Sequence, residues 1–363
     1  MVESWKMAAV ESAAFYIGWG GLLIGIAFGF IVYRTNFCTM GSISDILSFG
    51  DKNRFRAWLL AIATAILGVW LIERAGVADT SLSMYRTPTL GWGANIVGGL
   101  LFGFGMVFTG GCISRNLVRA GAGDLRSVVV LLITGVFGYM TIGGLLGPLR
   151  VSIFTPLSSE LGAAGIEDQG IGAVISSMTG MSVEAATTAS ALAIAAALVF
   201  YCFKSPEFRS SAANLTAGIG IGLCVVFGWI LTGLTYDEFA ANPTLISLSY
   251  VRPAGDTIDF VMRYTALGAP GFGVATVAGA LIGGFLGALS MGRLHLTTFA
   301  DKADTIRNMF GAALMGIGGV LALGCTVGQG LTGVSTLAIG SVITFVFIVV
   351  GGIVGIKTMD AIA

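Results

Sequence analysis

Long apolar runs separated by short polar segments dominate the chain, at 13–33, 57–72, 93–109, 127–147, 186–203, 213–234, 265–290, 308–323 and 335–356. A helix of roughly 18 to 20 apolar residues spans the hydrocarbon layer of a bilayer, and most of these runs approach or exceed that length. Where no water can satisfy a bare backbone, such runs must be helical. The pattern predicts an all-α polytopic membrane protein, one transmembrane domain over 1–363 with about nine spans. Three further stretches, 36–49, 110–124 and 324–335, break the pattern without reading as ordinary loops. Each is too short to span and too apolar for a purely aqueous loop, so short re-entrant helices are expected there, buried in protein or lining a cavity.

The pattern also repeats. Gly99-Leu100-Leu101-Phe102-Gly103-Phe104-Gly105 precedes Gly111-Cys112, and 213 residues later Ala312-Ala313-Leu314-Met315-Gly316-Ile317-Gly318 precedes Gly324-Cys325. At that offset Asn116 aligns with Gln329 and Val118 with Leu331. Spans one to four (13–147) superpose on spans six to nine (213–356), with 148–212 a connector holding span five. Corresponding spans are an odd number apart, so the second copy is inverted in the membrane. Inverted repeats are a frequent architecture of transporters, with the substrate site near the midplane where the copies meet. Gly25/Gly29, Gly99/Gly103, Gly279/Gly283/Gly287 and Gly351/Gly355 have the small-x-x-x-small spacing of close helix packing.

Composition narrows the function. Hydrophobic residues make up 55% of the chain and charged ones 10%, with 19 basic against 19 acidic, which leaves no basic field for nucleic acid. Five cysteines without a C-x-x-C pair, and one histidine, His295 in a polar loop, argue against a metal site or disulfide scaffold. No Walker motif is present, and no cofactor is expected. The first residues lack a basic n-region, so a cleaved signal peptide is not expected. With the N-terminus outside, the inner loops collect thirteen Lys and Arg against six outside, which predicts N-out and C-in. The outer loops, 236–259 among them, are mildly acidic.

Candidate chemistry concentrates in the interrupting stretches. Cys38, Cys112 and Cys325 each fall near the start of one, after a turn supplied by Thr35-Asn36 or by glycine. The first turn of a helix presents unpaired N–H groups and the positive end of its dipole, which favours an anion. A thiol there is drawn towards thiolate or, still protonated, offers a weak S–H donor to a soft anion. Gly111 and Gly324 frame two of these thiols, and Arg115, Arg119 and Gln329 follow them closely. Arg115 and Arg119 are candidates to draw in a dianion, whereas Arg34 and Asp45 are expected to pair with each other and fix the fold. Cys202 and Cys224 sit in plain apolar runs and read as small core fillers.

Asn36-Phe37-Cys38-Thr39-Met40-Gly41 with Asp45, Gly110-Gly111-Cys112 followed by Arg119-Ala120-Gly121-Ala122-Gly123, and Gly324-Cys325-Thr326-Val327-Gly328-Gln329-Gly330-Leu331 resemble the YeeE/YedE sulfur-transport family. The resemblance runs over nearly the whole chain. It implies an hourglass-shaped, inverted-repeat protein of the bacterial inner membrane that takes up thiosulfate, relayed between Cys38, Cys112 and Cys325. It also implies a small cytosolic TusA-like sulfurtransferase as partner. Two departures stand out: Leu323 replaces an expected second glycine, which predicts a different backbone approach there, and Arg115 is an extra cation beside the path. Transport of selenium or polysulfide-type species is the alternative on the same scaffold. A membrane thiol oxidoreductase lacks the cysteine pairs it needs, and a channel for neutral solutes has no use for three framed thiols.

Overall fold

The computed structural model describes residues 2–237, 242 and 244–362. Of segment 236–259, expected on the outer side, residues 238–241 and 243 lie outside the described residues. Helix α1 (Val2–Glu11) leads into α2 (Ala13–Thr35), followed by the short α3 (Thr39–Phe49) and the long α4 (Asn53–Arg74). After a polar loop, α5 (Trp92–Phe108), the short α6 (Ile113–Gly121) and α7 (Leu125–Ile142) repeat that long-short-long rhythm. The middle of the chain holds α8 (Gly147–Phe154), α9 (Ile171–Thr179), α10 (Val183–Phe203) and α11 (Pro206–Ser210). Then follow α12 (Ala212–Leu234), α13 (Val251–Met262), α14 (Tyr264–Leu267), α15 (Phe272–Ser290), α16 (Lys302–Leu321) and α17 (Ile339–Ile362). The β structure is slight: Thr89–Leu90 pairs antiparallel with Ser159–Glu160 across two loops.

Eight stretches among the described residues are long and apolar enough to cross a membrane, and they carry eight of the nine predicted spans. The chain is a multi-pass membrane protein. The remaining span, predicted at 308–323, is α16, whose first turns carry Lys302, Asp304 and Arg307 and depress its hydropathy. It packs between α5 and α7, so protein rather than lipid covers much of it.

Glycine decides how closely the long helices approach. Gly25 and Gly29 of α2 lie directly against Thr276, Gly279 and Ala280 of α15, and Gly99 and Gly103 of α5 lie against α17. Any Cβ at Gly103 would run into the Ile348 carbonyl, so the α5–α17 contact tolerates nothing larger. The α5–α16 contact is antiparallel: a Cβ on Gly98 would stand 2.7 Å from the Gly318 carbonyl, and one on Gly105 2.6 Å from that of Gly311. Without a hydrophobic drive between helices in lipid, this intimate van der Waals contact is what holds the bundle. Stacked rings fill the centre, with Phe37 on Trp58 at 4.5 Å and Trp58 on Phe345 at 5.7 Å between centroids.

The three interrupting stretches are short helices entered through a turn. Asn36 ends α2 in the left-handed conformation at φ 58°, and Gly110 adopts the same region after α5 at φ 68°. After α16 the residue in that role is Leu323, at φ 56°. The left-handed residue is thus common to the two turns, and the backbones differ at the next position, where Gly111 has a positive φ of 155° and Gly324 does not. The Gly110 amide bonds the Val107 carbonyl at 3.1 Å and that of Leu323 bonds Val320 at 3.1 Å. The amides of Gly111 and Gly324 then reach Met106 and Gly319 at 2.8 and 2.7 Å. These are the paired bonds of a Schellman-like C-cap. They satisfy the helix-end carbonyls and hold Leu323 left-handed against a steric cost of roughly 1–2 kcal/mol, while its side chain stays exposed.

Candidate functional site

Each of the three framed cysteines occupies the residue just before a short helix, the N-cap. Cys38 is extended at φ −160°, ψ 127°, and its Sγ accepts the Gly41 amide proton at 3.4 Å. Cys325 Sγ accepts from the Gly328 amide at 3.3 Å. Cys112 is also extended, at φ −67°, ψ 171°, and its Sγ lies 3.1 Å from Ser114 Oγ. Ser, Thr, Asp and Asn usually hold this position because their oxygen satisfies an orphan N–H. Sulfur is a weaker acceptor, so stability alone does not account for three thiols there. With a lone pair engaged by a helix N–H, the S–H becomes a better donor outward.

The fold gathers these thiols although their positions span 287 residues of chain. All three are buried and free, with relative exposures of 6% or less. Cys38 and Cys112 lie within electrostatic range of each other, and Cys112 within range of Cys325, giving the order Cys38–Cys112–Cys325. Cys202 and Cys224 stand apart as core fillers, with the Cys202 thiol donating to the Arg56 carbonyl at 3.2 Å.

Asn116 and Gln329 each brace a glycine-framed turn through a side-chain carboxamide, at different carbonyls. Asn116 Nδ2 donates to the Gly111 carbonyl at 2.8 Å and its Oδ1 accepts from Ser127 Oγ at 3.0 Å. Gln329 Nε2 donates to the Ala322 carbonyl, while its Oε1 is buried without a partner among the described residues. A π-helical turn over Gly328–Gly333 widens the backbone after Cys325. Such turns occur often at functional sites.

Several polar groups around the cysteines went unremarked in the sequence. Thr39 Oγ1 and Trp58 Nε1 are buried with no hydrogen-bond partner among the described residues, and Thr326 Oγ1 is buried beside the Cys112 thiol. An unmatched buried polar group costs about 1–3 kcal/mol, so each is a place where a polar guest would be stabilised. The repeated dipeptide Cys-Thr at 38–39 and 325–326 was the available signal for two of them. Trp58 lies in a plain apolar helix and offered none.

The two ends of the cysteine row differ. Beyond Cys325 lies a cavity of about 240 Å³ lined by Tyr85, Asn95, Arg150, Gln169, Leu323 and Gln329 among others. Beside Cys38 stand Arg54 and Arg115, both within electrostatic range of its thiol and Arg115 also of that of Cys112, with Arg119 near Arg115. The expected Arg34–Asp45 pair does not form. Asp45 instead binds Arg54 at 3.2 Å, because α3 turns its acid towards the start of α4. Arg34 reaches Ser290 Oγ at 3.2 Å and lies over the Phe30 ring. Arg119 is held by Asp124 at 2.6 Å. Burial works against the Asp124 charge, but hydrogen bonds and charge from Arg126 and Arg119 outweigh it and hold the carboxyl below its usual range. His295 is exposed, as its loop position suggested.

Among the described residues no cluster of His, Cys, Asp or Glu has the makings of a metal site. What the arrangement offers is a row of weak donors with positive charge at one end. A family model described as sulphur transport matches residues 34–354, nearly the whole chain. The thiosulfate transporter TsuA of Spirochaeta thermophila is 27% identical over 342 residues, covering 92% of this chain and 96% of that protein. TsuA of Escherichia coli is 27% identical over 351 residues, 91% of each chain. The probable transporter YedE of Salmonella typhimurium is 31% identical over 107 residues, covering 29% of this chain and 24% of its own.

Proposed function

This chain belongs to the sulphur transport family, and from that premise we propose that it is a thiosulfate transporter in which Cys38, Cys112 and Cys325 pass the anion along. The observation that carries the reading is the shared N-cap position of three buried, adjacent thiols. Each donates a soft, weak hydrogen bond at the positive end of a helix, so each station binds an anion loosely enough to release it. Conduction needs that balance. Gly111 and Gly324 let the backbone turn close to the passing anion, and Gln329 supports the turn beside Cys325.

In this reading the protein is an inner-membrane transporter rather than an enzyme, with its N-terminus periplasmic and its C-terminus cytoplasmic. Segments 13–147 and 213–356 are inverted copies, a view favoured by the matched hydrogen bonds at the breaks after α5 and α16. The cavity beside Cys325 is the outer entrance and the arginines near Cys38 form the inner exit. The exit delivers to a small cytosolic sulfurtransferase of the TusA kind.

Radiolabelled thiosulfate uptake in proteoliposomes tests the reading. The double variant Cys112→Ala, Cys325→Ala is expected to insert normally and take up none; uptake at the wild-type rate would sink the proposal. Selenium and polysulfide analogues as competitors rank the substrate, and a stronger effect than thiosulfate itself would reassign it.

A further inference from the structure

Three guanidinium groups converge where Cys38 meets the turn before α6, and they are not equivalent. Arg54 is paired with Asp45 at 3.2 Å and Arg119 with Asp124 at 2.6 Å. Arg115 has no carboxylate partner among the described residues. One of its terminal nitrogens donates to the side-chain carbonyl of Asn36, and the other, Nη1, is shut off from solvent and bonds nothing. Its stem packs against Gly111, where a Cβ would stand 2.9 Å from Arg115 Cγ and 3.8 Å from Cys38 Sγ. A half-buried cation fixed in place and left unneutralised is costly, because desolvation is compensated only by a paired charge. A bound anion supplies that charge, and a guanidinium fork suits an oxyanion with two adjacent oxygens.

We propose that Arg115 is a specificity-determining residue: it is the counter-charge for a doubly charged oxyanion held between Cys38 and Cys112, and it selects dianions over monoanions. The proposal rests on the thiosulfate reading and adds to it a cause for charge selectivity. Arg54 and Arg119 already hold carboxylates, Arg119 through an Asp124 that it shares with Arg126, so one guest dianion meets one cation with no carboxylate of its own and is not trapped by three. Asn36 sets the level of that charge, since its amide orients the guanidinium without cancelling it.

Two variants test this in proteoliposomes with labelled thiosulfate, using selenate as dianionic and thiocyanate as monoanionic competitor. Arg115→Gln removes the charge. Asn36→Asp neutralises it in place with a residue that tolerates the left-handed backbone at that position, so it remains informative if the first variant folds poorly. Both are expected to raise the KM for thiosulfate about tenfold, the loss of one charge-assisted hydrogen bond, and to let thiocyanate compete more nearly as well as selenate. An unchanged KM and competitor order in both variants would overturn the proposal while leaving the transport reading intact, provided Cys112→Ala still abolishes uptake. Failure of the wild-type protein to take up thiosulfate would overturn both.

Discussion

The break after α5 and the break after α16 have nearly the same backbone and quite different surroundings. Both end in a left-handed residue, carry a glycine next, place a cysteine at the following N-cap, and brace the turn with a carboxamide side chain. Around Cys112, however, the next helix carries Arg115 and Arg119 and runs out to Asp124. Around Cys325 the following turn is π-helical, wholly buried and without a charge. The hydrogen bonds at the helix end dictate the shape, and side chains outside that ring of bonds decide the chemistry. One backbone device thus occurs in an uncharged setting and in a cationic one.

The sharpest way to separate shape from chemistry is to exchange sulfur for oxygen. Serine is a better N-cap than cysteine, so Cys112→Ser and Cys325→Ser are expected to keep or raise the detergent melting temperature. Uptake is expected to fall at least about tenfold, because a hydroxyl bonds an anion more strongly and turns a weak station into a trap. Retained uptake in both serine variants would reduce the thiols to capping groups.

The braces come next in size. Asn116→Ala removes donors to the Gly111 and Cys112 carbonyls and the acceptor for Ser127, and is expected to cost about 2–3 kcal/mol. Gln329→Ala removes one bond and an oxygen that is already unpartnered, for about 1 kcal/mol. Chemical denaturation of the two variants side by side checks the order, and equal losses would show the braces to be equivalent.

Exchanging the left-handed residues has a smaller effect and an opposite sign at the two breaks. Leu323→Gly is expected to stabilise by about 1 kcal/mol, and Gly110→Leu to destabilise by 1–2 kcal/mol, from the steric cost of that conformation alone. A melting temperature that moves the same way in both variants would break the equivalence of the two turns.

Acid provides the mildest test, and it touches only the charged break. Asp124 has its carboxyl held below the ordinary range, so its contribution is complete at neutral pH. That contribution is complete above the unfolded carboxylate value of about 4, declines as pH falls below it, and is gone once pH has passed below the lowered folded value. Asp124→Asn is expected to lower the melting temperature at pH 7 and flatten its acid limb; an unaltered acid limb would remove Asp124 from the stability of this end.

Much of this was legible in the chain. Apolar run lengths announced the helices, and the recurrence of Gly-Cys at a constant offset pointed to the two breaks before any geometry was known. Arg34 and Asp45 show where reading fails. They are eleven residues apart and of opposite charge, yet the turn at Asn36–Cys38 separates them and hands Asp45 to Arg54. Leu323 failed for the opposite reason: composition predicts a residue's preferred conformation, but two helix-end hydrogen bonds overrule a preference of 1–2 kcal/mol.

Hydropathy and periodicity are local properties, so the sequence by itself determined the membrane class, the helical build, the short interrupting helices and the three cysteines at their starts. Which cysteine lies next to which, which arginine keeps an acid partner and which is left without one are decided by contacts between residues far apart in the chain. Only the close packing of glycine-faced helices creates those contacts. That packing brings Cys38, Cys112 and Cys325 together, and it leaves Arg115 beside them without a carboxylate partner among the described residues.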